Sequence, residues 1–100
     1  MKLIIHSIHF DADKKLTDFI QKKADKLEQY YDGIVSGEVF LRLDKSETKE
    51  NKIVEIKLEV PGNNTFAKKQ SKSFEESTDL CVDALRRQLV KLKTKQKAYL

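Results

Sequence analysis

Six basic side chains and no acidic one lie between Ala84 and Leu100: Arg86, Arg87, Lys91, Lys93, Lys95 and Lys97. Cations held this densely neutralise phosphates and displace the counterions condensed on a nucleic-acid backbone. The chemistry they suit is binding of a polyanion, with no bond made or broken. A plainer account is a solvated helix end, because acids near a helix N-terminus and cations near its C-terminus complement the helix dipole. Glu75, Glu76, Asp79 and Asp83 come early, as that account requires. Six cations spread over about three turns exceed what it requires, since the dipole effect fades within the last turn.

Groups that make or break bonds are scarce. His6 and His9 are three apart on a predicted strand, so alternation sends them to opposite faces and they do not share a metal. Cys81 is the sole cysteine and falls on an apolar helical stripe, the setting of an inert core thiol. No metal-binding pair, His-Glu-x-x-His or phosphate-cradling glycine loop is present. The chain is therefore expected to be no enzyme, with no cofactor, metal or small-molecule substrate.

One hundred residues predict one domain, residues 1–100, with a core that needs neither disulfide nor metal. The lone cysteine fits a reducing compartment, and no apolar run reaches the length of a membrane span or signal peptide. A cytoplasmic protein is expected. The net charge of +4 is unevenly placed. Residues 1–65 carry 11 basic and 12 acidic residues, while residues 66–100 carry nine and four. Such clustering points to an anionic partner, nucleic acid before an acidic membrane surface.

The elements that must position these cations are legible from periodicity. Lys2–Phe10 reads as a strand with Ile4, His6, Ile8 and Phe10 on one face. Asp11 or Asp13 can cap a helix over Lys14–Tyr31, whose stripe is Leu16, Phe19, Ile20, Ala24, Leu27 and Tyr31. Asp32-Gly33 ends it. Val35–Asp44 predicts a second strand, with Val39, Leu41 and Leu43 together, and Lys45–Lys52 a charged turn. Ile53–Val60 alternates most cleanly, Val54, Ile56, Leu58 and Val60 inward and Glu55, Lys57 and Glu59 outward. A turn at Pro61–Asn64 leads to a short strand over Thr65–Gln70. Ser73 and Glu76 have capping-box spacing ahead of a helix to about Lys97, with stripe Phe74, Cys81, Leu85, Leu89 and Leu92. The order β-α-β-β-β-α predicts an α+β two-layer domain: a four-stranded mixed sheet with both helices on one face.

At 100° per residue, Arg87, Lys91 and Lys95 flank the second helix's apolar stripe on one side, and Arg86, Lys93 and Lys97 on the other. On the first helix Lys15, Lys22 and Lys26 form one stripe, with Lys23 at the core border and Asp18, Asp25 and Glu28 on the outer face. Two helices side by side would let one stripe from each line a basic groove. The expectation favours Arg87, Lys91 and Lys95 for that groove. Tyr31 is read as core, while Tyr30 and Tyr99 stand open between packing and base stacking.

With this order of elements, the segment Phe19–Tyr31, the strand Val54–Leu58, and Thr78-Asp79-Leu80 followed by Leu85–Lys93 resemble the ribosome hibernation-promoting factors, also called ribosome-associated inhibitor or sigma-54 modulation proteins. The resemblance covers essentially the whole chain through a combination of features, none diagnostic alone. It implies a factor that binds the small ribosomal subunit when growth slows. Such a factor occupies the channel of messenger RNA and of the A-site and P-site transfer RNAs, and inhibits translation by exclusion. Carried over, it implies ribosomal RNA contacts by Lys22, Lys23, Lys26, Arg86, Arg87, Lys91, Lys93 and Lys95. Ser77-Thr78 stands where the family often has Ala-Ile, which puts packing there in question. The chain resembles the short form, which lacks the domain that pairs ribosomes.

Two other readings stay open. One is a general double-stranded RNA module, since the β-β-β-α portion shares that topology. The other is a protein- or membrane-docking module using the second helix, disfavoured because its leucines face the core. The protein is expected to be monomeric when free and to bind no membrane.

Overall fold

The computed structural model describes residues 1–45 and 49–97, and of residues 95–97 the backbone alone. Its elements run β1 (Lys2–Ser7), α1 (Lys14–Asp25), a 3₁₀ turn (Lys26–Gln29), β2 (Ser36–Leu43), β3 (Lys52–Glu59), β4 (Thr65–Ser71) and α2 (Phe74–Lys97). The sheet order is β1-β2-β3-β4. β1 runs parallel to β2, and the remaining pairs are antiparallel. The expected α+β architecture is the observed one. Part of the expected charged turn, residues 46–48, lies outside the described residues.

The core follows the alternation. Val39 and Leu41 of β2, and Val54, Ile56 and Leu58 of β3, are fully buried against Ile20 and Leu27 from one helix and Cys81, Leu85 and Leu89 from the other. Each such aliphatic side chain contributes roughly 1.5–3 kcal/mol by leaving water. Leu43 has the same parity as Val39 and Leu41, yet it is 49% exposed at the end of β2.

Three expectations need correction. β1 stops at Ser7, and its inward residues are Leu3 and Ile5, whereas Ile4 is half exposed and His6 stacks on Phe40 across the uncovered face. Phe10 still joins the core, because His9 adopts φ +67° and redirects the chain so that Phe10 stacks on Phe74. Glu55 points outward as alternation requires, but it is only 7% exposed. Arg42 and Lys68 cover its carboxylate from the neighbouring strands. Finally, α1 does not continue as an α-helix to Tyr31. It tightens at Lys26 into the 3₁₀ turn, closed by the Tyr30 N–H donating to the Leu27 carbonyl at 3.0 Å. Helix ends often tighten this way to satisfy carbonyls that lack an α-helical donor. Gly33, at φ +90°, then lets the chain leave towards β2.

The Ser77-Thr78 pair is fully buried and satisfied. Ser77 Oγ donates to the Lys52 carbonyl at 2.8 Å and lies 2.7 Å from Ser71 Oγ. Thr78 Oγ1 donates to the Phe74 carbonyl one turn back at 2.7 Å. The Ser77 hydroxyl thus fastens the start of α2 to β3 and β4.

β4 is an edge strand, and its free backbone groups are an open template for another strand. The Gln88 side chain occupies part of it. Its Nε2 donates to the Phe66 carbonyl at 2.9 Å and its Oε1 accepts from the Phe66 N–H at 3.4 Å. This amide pair also fixes how α2 is rotated, because Gln88 lies on the flank turned to the sheet edge.

Candidate nucleic-acid interface

α1 begins where Asp13 Oδ1 accepts from the Leu16 N–H at 2.8 Å. Ile20 and Ala24 then turn inward, Lys23 lies on the side towards α2, and Lys22 and Lys26 are exposed. The opposite flank carries Gln21, Asp25 and Glu28, which bind the Met1 main chain at the start of β1. Asp25 and Glu28 thus face the start of β1, while Lys23 faces the second helix.

α2 begins where Ser73 Oγ accepts from the Glu76 N–H at 3.0 Å. Burial of Cys81, Leu85 and Leu89 fixes its phase, and two contacts show which flank meets α1. Lys23 Nζ lies 3.3 Å from Asp79 Oδ1. Seven residues on, the Arg86 guanidinium lies 5.9 Å from the centroid of the Tyr30 ring. Asp79, Arg86 and Lys93 share that side of the helix, so the interhelical groove is lined by the Arg86 flank.

This corrects the expectation that Arg87 and Lys91 line the groove. Lys91 is turned to the β4 edge, where Gln88 is anchored and a hollow is bordered by Asn63, Asn64 and Thr65, while Arg87 is exposed on the outer face. The Lys95 and Lys97 side chains, and Tyr99, lie outside the described residues. A helical wheel offers two symmetric flanks, and only the position of α1 distinguishes them. One sequence signal was available: Asp79 has the phase of Arg86 and the charge to complement Lys23.

Of the residues singled out for RNA contact, Lys22 and Lys26 are exposed and make no ion pair or hydrogen bond among the described residues. The same holds for Lys91 and Lys93. Lys23 is engaged by Asp79 and lies 5.4 Å from the Phe19 ring centroid. Arg86 and Arg87 are both held by Asp83, a residue that sequence reasoning assigned only to the helix dipole. Arg86 Nη2 donates to Asp83 Oδ1 at 2.8 Å and Arg87 Nη2 to Oδ2 at 2.6 Å. These bonds, that of Arg86 foremost, hold the Asp83 carboxyl below its ordinary range, and the carboxylate in turn raises the Arg86 guanidinium. One acid thus directs one arginine into the groove and the other onto the outer face.

The groups weighed for catalysis are engaged elsewhere. His6 Nε2 lies 2.8 Å from Glu38 Oε2 on the sheet face opposite the helices. Cys81 Sγ–H donates to the Val54 carbonyl at 3.2 Å, and burial pushes its thiol up to about 12. No cluster of three metal-ligating side chains occurs among the described residues. No helix among them is long and apolar enough to cross a membrane.

Residues 3–97 match the family described as sigma 54 modulation protein / S30EA ribosomal protein. A ribosome hibernation promoting factor from Azotobacter vinelandii is 31% identical over 96 residues, covering 96% of this chain and 86% of that protein. One from Pseudomonas putida is 29% identical over 100 residues, covering 100% and 94%. The fold is shared with a ribosomal subunit interface protein from Coxiella burnetii, with TM-score 0.83, 23% identity, and 94% and 99% coverage. It is also shared with the N-terminal domain of Protein Y from Thermus thermophilus, with TM-score 0.78, 22% identity, and 92% and 99% coverage.

Proposed function

Because the chain belongs to the sigma 54 modulation protein / S30EA ribosomal protein family, we propose that it is a cytoplasmic hibernation factor that binds the small ribosomal subunit. It contacts ribosomal RNA through cations of both helices. It occupies the channel of messenger RNA and the A-site and P-site transfer RNAs, and inhibits translation by filling that space. The mechanism needs no catalytic group, only a rigid body of the right shape and charge. Relatives named as ribosome hibernation promoting factors support the role.

The observation that supports the RNA contact is the interhelical groove, where Lys23 of α1 meets Asp79 and Arg86 of α2 lies over Tyr30. The covered sheet and the Asp83 bonds fix that groove before RNA arrives. Lys23 and Arg86, held by Asp79 and Asp83, would neutralise phosphates at a reduced ordering cost. Recognition of this kind reads backbone shape more than base sequence.

The deciding experiment adds the purified protein to small subunits and follows displacement of messenger RNA and transfer RNA across a salt series. Mutual exclusion that weakens steeply with salt is expected. Binding that leaves both RNAs in place would refute channel occupancy. Equal affinity for a plain RNA duplex would favour the general duplex-binding reading.

A further inference from the structure

We propose that Tyr30 and Arg86 form a stacking site for one unpaired RNA nucleotide at the interhelical groove. The inference rests on the RNA-binding reading above and adds a ligand class to it. Tyr30 closes the 3₁₀ turn and is 36% exposed, whereas its neighbour Tyr31 is 6% exposed and belongs to the core. The core thus uses one of the two adjacent rings and leaves the other at the groove.

The Arg86 guanidinium lies over the Tyr30 ring at 5.9 Å, and Asp83 holds that guanidinium at 2.8 Å. The ring is therefore fixed in orientation by a chain of contacts from α2. Lys23, seven residues before it, meets α2 at Asp79, and the exposed Lys26 opens the 3₁₀ turn that Tyr30 closes, so phosphates flanking a stacked base would meet cations. A fixed aromatic ring beside cations is the arrangement that single-stranded nucleic acids use, because every base has a face to stack. Bases inside a continuous duplex stack on one another, so only an unpaired nucleotide reaches such a ring. The protein should accordingly prefer RNA that carries an unpaired nucleotide over an uninterrupted helix.

The test compares small-subunit binding by Tyr30→Phe, Tyr30→Leu and Tyr30→Ala. Tyr30→Phe should keep wild-type affinity, while the other two lose from about fivefold to about a hundredfold, the range of one base–aromatic stack. Their salt dependence should not change, since no cation is removed. Should Tyr30→Ala fail to fold, Tyr30→Leu, which keeps bulk without a π face, decides. The chain has no tryptophan, so Tyr30→Trp supplies a second readout. Its emission should be quenched by a stem carrying a single-nucleotide bulge and not by the matching continuous duplex. Wild-type affinity in Tyr30→Leu, or equal quenching by both RNAs, overturns the stacking site. Failure of the wild-type protein to bind small subunits would instead remove the reading beneath it.

Discussion

Arg86 donates to Asp83 at 2.8 Å while its guanidinium covers Tyr30, so a single carboxylate one turn away sets where the groove's arginine points. Asp83→Asn removes one negative charge and releases Arg86 and Arg87 from the carboxylate. The log–log salt slope of RNA binding should steepen by up to about 0.7–0.9 if one more phosphate is neutralised. Affinity for an unrelated duplex should rise more than affinity for small subunits, because orientation is lost while charge is gained. Asp32→Asn, the same charge change at an exposed site on the loop before β2, serves as the control and should move both less. The bonded carboxyl also titrates below its ordinary 3.8. A depressed native value means the bond's stabilisation is complete above 3.8 and disappears as pH falls through the lower native value. Urea melts of wild type and Asp83→Asn should therefore converge as pH falls below 3.8 and through that lower native value.

The two flanks of α2 make separable predictions. Lys26→Ala with Arg86→Ala removes groove cations, and Arg87→Ala with Lys91→Ala removes outer ones. Seating of RNA between the helices predicts that the first pair reduces the salt slope by about 1.4–1.8, two phosphates' worth, and the second by less. Co-sedimentation with small subunits across a salt series measures both. Equal reductions would place RNA around the outer face as well.

Gln88→Ala removes two hydrogen bonds to the Phe66 backbone. Both are solvent-accessible, so water replaces them in part, and a loss of about 1 kcal/mol is expected in urea denaturation. Hydrogen exchange at the Phe66 amide should quicken more than exchange in β3. The uncovered edge should also raise self-association at high concentration.

Ser77→Ala leaves the Lys52 carbonyl without the bond that Ser77 gives it. Its hydroxyl is fully buried and serves both the Lys52 carbonyl and Ser71 Oγ. A loss of ~1–3 kcal/mol is expected. Adding Ser71→Ala should cost less than the sum of the two single changes, because the hydroxyls share one network. Small-subunit affinity under native conditions should be unchanged, since the site lies at the start of α2, away from Arg86.

Element types and most of the core were legible because they depend on near neighbours in the chain. Alternation through Ile53–Val60 and the Cys81, Leu85, Leu89 stripe each state which residues share a face, and those residues are the buried ones. Capping by Asp13 and Ser73 is equally local. Errors began where a second element decides. Ile4 and Ile5 are equally apolar, and the position of the helices determines which is covered. Glu55 alternates outward like any solvated strand residue, and its burial comes from Arg42 and Lys68 on strands either side.

The candidate site divides in the same way. The sequence by itself determined that two helices carry cations, and which of those cations share a flank, because helical phase is a property of residues a few positions apart. Only the tertiary structure decided that the Arg86 flank, and not the Arg87 flank, meets α1. It also decided that Asp83 holds both arginines and that Tyr30 lies beneath one of them. Those facts depend on where α1 docks on the sheet and on the tightening of its last turn. Both follow from packing among residues far apart in the chain, which no local period encodes.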